Sequence, residues 1–336
     1  MSNKAKRKYI RVLLGLTILL AALFLMSIAA GFTEINLLQI GRILMGRGTR
    51  EENLIVFQFR MVRTVLAILI GAGLALSGLV FQTVSKNALA SPDLLGVSSG
   101  AGLAVLLMSY LSDGKQAFQI MTLPLAAILG AGITAILIYA LSHRHGEAIS
   151  PARMVLIGIS LTAGINAVEM IITVRLSPTQ YNLVHTWMIG NVYGNKWAHV
   201  IMLAPVVLLL SGLLFYHSRK LNLLRLSDGV AIGLGTPLKR VRFLYLMLAV
   251  GLAAVCVSIG GAIGFVGLIC PHLARRMVGP NHERSIPVTM LCGACLVLLA
   301  DLIARTVIAP REMLLGVVIS VIGTPYFLYI LLRGKH

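Results

Sequence analysis

From Phe243 to Ala274 the chain runs for 32 residues without one Asp, Glu, Lys or Arg, directly after Lys239, Arg240 and Arg242. As one straight helix this stretch would measure roughly 48 Å, against a bilayer hydrocarbon core of about 30 Å. It is too long for a single span. Gly260, Gly261, Gly264 and Gly267 interrupt it, and Pro271 and His272 stand near its end. The expected geometry is one full crossing, a turn around Gly260–Gly264, and a short second helix. Non-helical backbone at membrane depth is tolerated only where protein or a water-filled cavity covers it. Broken helices of this kind line transport pathways.

The rest of the composition agrees. Of 336 residues, 58% are hydrophobic and 12% charged, leaving too little polar surface to cover a soluble domain. The net charge of +18 could suggest nucleic acid. The basic residues, however, sit between apolar runs, so the positive-inside rule accounts for them and no nucleic-acid partner is expected. The four cysteines all lie in apolar segments, and Cys292-Gly-Ala-Cys295 reads as helix packing, so neither metal nor cofactor is expected.

Apolar segments fall at about 12–32, 61–83, 94–111, 118–141, 153–174, 197–216, 243–263, 264–278, 287–309 and 313–332. The expected fold is therefore all-α with about ten spans, one of them a half-helix. The first is read as retained, since its apolar run is too long for a signal peptide. An even count puts both termini on one side. With that side cytoplasmic, nineteen Lys and Arg lie inside and ten outside. The outer linkers 33–59 and 175–196 are amphipathic, the second carrying Tyr181, Trp187 and Tyr193 as for an interfacial helix.

Ser91-Pro92-Asp93 reads as N-cap, N1 and N2 of a second small-residue helix running to Gly102. Similar breaks after the second and seventh spans suggest one transmembrane domain, 1–336, with spans 2–5 echoing 7–10. In the longest inner loop, Ser227 and Asp228 can serve the start of a short helix that Gly235 and Pro237 stop.

No phosphate-binding Gly-rich loop occurs, so ATP binding belongs to another chain. Glu169, near the outer end of the fifth span, is the one acid available to an ion-coupled secondary carrier, and no acid or His relay accompanies it. Asp301 and Arg305 stand four apart and can pair on one helix face.

Several motifs together resemble the FecCD permeases, the type II ABC importer subunits for iron-siderophore, haem and cobalamin. They are Arg60-Met-Val-Arg63, Gly71 to Gly78, Gln82, Asn87 to Ala90, and Pro92 to Gly102. Trp187 to Trp197, Asp228-x-x-Ala231-x-x-Leu234-Gly235, Gly261 to His272, Ala300 to Arg305 and Glu312 to Gly323 continue the likeness, which covers about 34–333.

The resemblance implies a non-enzymatic subunit of a bacterial cytoplasmic membrane importing a ferric siderophore, or alternatively haem or cobalamin. It implies two cytoplasmic ATPases, an external substrate-binding protein and a second permease copy or paralogue as partners, in a lipid bilayer. It assigns Arg60, Arg63 and Arg305 to binding-protein docking, and Asp228, Ala231, Leu234 and Gly235 to ATPase coupling. Asn87, Leu89, Ser150 and Pro151 fall at the gate. The sequence departs from the family at Val62 and Ala88, where proline is common, and at Ser150-Pro151, where a Ser/Thr pair is common.

Overall fold

The computed structural model describes residues 3–31, 37–93, 96–111, 116–142, 151–192, 194–308 and 311–333. Every regular element among them is helical. In chain order these are α1 (Asn3–Ala29), α2 (Leu37–Leu44), α3 (Arg50–Asn53), α4 (Met61–Val84), α5 (Val97–Leu111), α6 (Gln116–Ser142), α7 (Pro151–Thr173) and α8 (Pro178–Ile189). There follow α9 (Trp197–Tyr216), α10 (Ser218–Leu223), α11 (Asp228–Gly233), α12 (Leu238–Gly260), α13 (Val266–Val278), α14 (His282–Thr306) and α15 (Leu315–Arg333). Among the described residues, seven helices are long and apolar enough to cross a membrane. With the shorter α5, α13 and α15 they correspond to the ten expected segments.

The second span is longer than its apolar run. A capping box at Thr49, with Glu52 answering it, opens α3, and a π-helical run Leu54–Arg60 carries the helix into α4. In the second linker, Ser177 caps α8 through a similar box with Gln180 and Pro178 at the first helical position. Tyr193 lies outside the described residues.

Continuous with that run, α4 is the hub, packed against α12, α13 and α14. Such close contact needs glycine. A Cβ on Gly71 would collide with the Gly293 carbonyl of α14, and one on Gly78 with the Gly267 carbonyl of α13. Backbones meet directly at both crossings, the small-residue packing that apolar helices use where hydrophobic burial gives no preference between lipid and protein.

The uncharged stretch breaks as expected. Helix α12 ends at Gly260, Gly261 (φ +74°) leaves the helix, and α13 begins after Phe265, itself left-handed at φ +64°. The turn is covered rather than bare: Asn191 N–H donates to Gly260 O at 2.9 Å, and Gly316 N–H donates to Gly190 O at 3.3 Å. Residues after α8 and at the start of α15 thus enclose the irregular backbone.

The other break differs from expectation. Helix α5 starts at Val97, not at Pro92, and Leu94 and Leu95 lie outside the described residues. Gly96 takes φ +69° and its N–H bonds Asp93 O in a turn, while the Asp93 carboxylate accepts from Ser98 Oγ. The acid holds a turn ahead of the helix instead of occupying its first turn.

Candidate functional site: two polar ends and an apolar groove

At one end of α4 lie the three arginines expected to dock a partner, two of them, Arg60 and Arg305, bonded to the end of α1. All are buried: Arg60 is 6% exposed, Arg63 8% and Arg305 7%. Arg63 donates to Asp301 (Nε–Oδ1 2.6 Å) and to Glu312 (2.7 Å). Arg60 donates to the carbonyls of Ile28 and Ala29, both at 2.8 Å. Arg305 donates to Ser27 O at 2.7 Å, to Ala30 O at 3.3 Å and to Ser27 Oγ, which in turn meets Thr64 Oγ1 at 2.6 Å.

Arg60 and Arg305 therefore satisfy the last carbonyls of α1, where the helix dipole favours cations. The expected Asp301–Arg305 contact exists at 3.5 Å, but Arg63 holds the same carboxylate more closely. Sequence spacing could find the first pair; the second joins residues 238 apart.

At the opposite end, Asp228 does not cap its helix. Ser227 stands at the N-cap without a side-chain bond, and the Asp228 carboxylate receives Lys86 Nζ and Arg242 at 2.7 Å each. Hydrogen bonds from Lys86 and then Arg242 hold its carboxyl below the usual carboxylate range. This clamp joins the end of α4 to the start of α12 across α11. Helix α11 closes as expected, on Gly235 at φ +77°: Gly235 N–H donates to Ile232 O and Thr236 N–H to Ala231 O, a Schellman stop.

Ala231 is fully buried and anchors α11, whereas Leu234 is 63% exposed. Val230 and Ile232, not singled out in the sequence, are also exposed and extend that apolar surface. An alternating apolar exposure on six residues is too short a signal to read without the fold.

Of the residues expected at the gate, Asn87 organises the turn after α4: its Oδ1 accepts Leu89 N–H at 2.9 Å, next to Lys86 at φ +50°. Pro151 is the first residue of α7, but its side chain and all of Ser150 lie outside the described residues.

Between the polar ends, α8, the broken turn and α15 border a groove of about 720 Å³, lined by Met188, Ala262, Val317, Val321, Pro325 and Leu328 among others. Among the described residues it carries no charged side chain, and its two hydroxyls there, Ser320 and Thr324, donate to carbonyls of their own helix. No local sequence pattern marks this lining. Three separated segments contribute to it, and each looks like ordinary apolar helix or turn.

A multi-pass helical bundle with a broken central helix, a bland groove and a clamped surface helix defines a membrane permease. The chain belongs to the FecCD transport family, whose profile matches residues 19–333. It is 39% identical to the iron(3+)-hydroxamate import system permease protein FhuG of Bacillus subtilis (strain 168), over 95% of each chain. It is 37% identical to the Fe(3+)-citrate import system permease protein YfmE of the same strain, covering 98% of this chain and 97% of that one. Its structure matches an inward-facing metal-chelate type ABC transporter with a TM-score of 0.85 and 30% identity, over 96% of this chain and 99% of that one. The fold is that of a type II ABC importer permease, and the family is a transport subunit rather than a catalytic one.

Proposed function

We propose that this chain is the membrane-spanning subunit through which a ferric siderophore is carried inward. The observation that carries the reading is the charge-free groove beside the broken helix. A chelate wraps its metal in organic ligand, so its passage needs an apolar wall of adequate size rather than metal ligands. The relatives named for ferric hydroxamate and ferric citrate support that class of cargo over haem or cobalamin, and the family assignment leaves no support for an ion-coupled carrier.

In this reading the permease pairs with a second copy or paralogue, with the grooves facing a shared pathway and both termini in the cytoplasm. Two cytoplasmic ATPases receive α11 through Val230, Ile232 and Leu234. The Lys86–Asp228–Arg242 clamp passes their movement to α4 and α12, and the Asn87–Leu89 turn with Ser150 and Pro151 gates exit. Arg60, Arg63 and Arg305 keep their proposed docking role. Among the described residues the carboxylates ion-paired in that cluster are Asp301, which is buried, and Glu312, which is exposed, so an acidic group on the binding protein can take the place of Glu312 on Arg63.

Uptake of radiolabelled iron tests the cargo. A strain lacking this gene should lose accumulation from ferric hydroxamates or ferric citrate and keep haem and cobalamin uptake, with plasmid-borne permease restoring it. Loss of haem or cobalamin uptake alone would reassign the cargo.

A further inference from the structure

Beside the Asp228 clamp, the ends of α4, α10, α13 and α14 enclose a second cavity of about 260 Å³, lined by Gln82, Thr83, Lys86, Arg225, Arg275 and His282, with Ala88 at its edge. Its walls are held in place. Gln82 Nε2 donates to Gly267 O at 3.3 Å and to Leu268 O at 3.2 Å, which turns Gln82 Oε1 toward the Arg275 guanidinium that donates to it. The His282 ring is bonded on both nitrogens, to Thr83 Oγ1 and Asn222 Oδ1, each at 2.8 Å. Arg225 donates to Pro280 O at 2.7 Å.

Three cations therefore share one cavity. Among the described residues the only carboxylate ion-paired with any of them is Asp228, on Lys86, and Asp228 is shared with Arg242. The bonds made by Arg225 and Arg275 go to neutral acceptors, a carbonyl and an amide, and each guanidinium has five donors. Like charges gathered around a rigid polar cavity repel one another until an anion sits between them. The volume admits several waters or one tetrahedral oxyanion. Planar guanidinium forks match phosphate oxygens in pairs, and a lysine ammonium adds a point charge.

We propose that this cavity is an oxyanion site that takes a phosphate group, either free or as the headgroup of an anionic lipid. Lys86 belongs both to the cavity and to the clamp, so the bound anion competes with Asp228 for its ammonium and alters how tightly α11 is tied to α4. Phosphate occupancy then tunes coupling. The cytoplasmic placement and the effect on coupling rest on the transport reading above; the binding itself does not.

The test uses thermal unfolding of the full-length permease, purified with its ATPase subunits into wholly zwitterionic nanodiscs, titrated with inorganic phosphate against chloride at matched ionic strength. Phosphate should raise Tm saturably. Arg225→Gln and Arg275→Gln should each weaken the apparent affinity by about tenfold or more, as for loss of one charge-assisted hydrogen bond. If Arg275→Gln does not assemble, Arg225→Gln in its exposed loop decides alone. In phosphatidylglycerol nanodiscs, a Tm already raised and no longer responsive to phosphate identifies the headgroup as source. A response that persists there identifies the free ion. The proposal is overturned if neither phosphate nor phosphatidylglycerol shifts Tm, or if the variants shift as the wild type does. Because no transport is measured, that failure would leave the uptake reading untouched.

Discussion

At the scale of single residues, the chemistry is concentrated where charge is buried. Asp301 has no solvent exposure, and Arg63 and Arg305 reach it from two helices. Removing one member of a buried ion pair strands the other, at a cost of about 3–5 kcal/mol, whereas an exposed pair contributes about 0–1 kcal/mol. Asp301→Asn should therefore lower the unfolding temperature of the purified permease far more than Glu312→Gln, whose carboxylate is 38% exposed. Equal small effects would mean that the cluster does not hold α1 to α4 and α14. The contrast also separates folding from docking: Glu312→Gln should leave a folded permease, so a change in binding-protein affinity there reports recognition. Sequence could place these arginines at helix ends, and even pair Arg305 with Asp301. It could not reveal that Arg60 and Arg305 cap α1, because a backbone carbonyl some thirty residues or more away leaves no residue-type signal.

Among the elements, α11 combines two devices that can be broken independently. Gly235 at φ +77° permits the Schellman stop, and a β-branched residue there meets the left-handed penalty of about 1–2 kcal/mol. Gly235→Val should fray α11 and lower permease-dependent ATPase stimulation while the spans stay inserted. The Asp228 clamp should respond to pH only in acid. Its carboxyl titrates lower folded than unfolded, so its stabilisation is complete above the unfolded value of about 3.9 and is lost as pH falls through the folded one. Stimulated ATPase activity should consequently owe no pH dependence to Asp228 near neutrality, and Asp228→Asn should depress it evenly across that range. A defect in Asp228→Asn that appeared only on acidification would contradict the clamp.

Other elements show where patterns suffice. The turn after Gly260 was legible because the length of an uncharged run is set against a fixed bilayer thickness. The start of α5 was not, since Ser91-Pro92-Asp93 carries a valid local capping signal and only the Asp93–Ser98 contact redirects it. The polar beginning of the second span at Arg50 was equally hidden, its helix continuing through a π-helical run that no hydropathy pattern marks.

For the whole molecule, the decisive constraint is that α4 joins the two polar ends. Its 24 residues rise about 36 Å, more than a hydrocarbon core of about 30 Å. Arg63 and Lys86 therefore face opposite sides of the membrane, and with them the arginine cluster and the Asp228 clamp. Orientation is a single choice that moves every site together. The charge bias favours Lys86, Arg225 and α11 inside. A reporter fused after Arg225 should read cytoplasm, and one inserted between Arg42 and Glu52 should read exterior. Both reading the same side would break the link between α4 and a full crossing. The exact reverse would put the clamp outside, where no ATPase can reach it, and would remove the coupling and docking roles in one result while leaving the fold and the family membership as they stand.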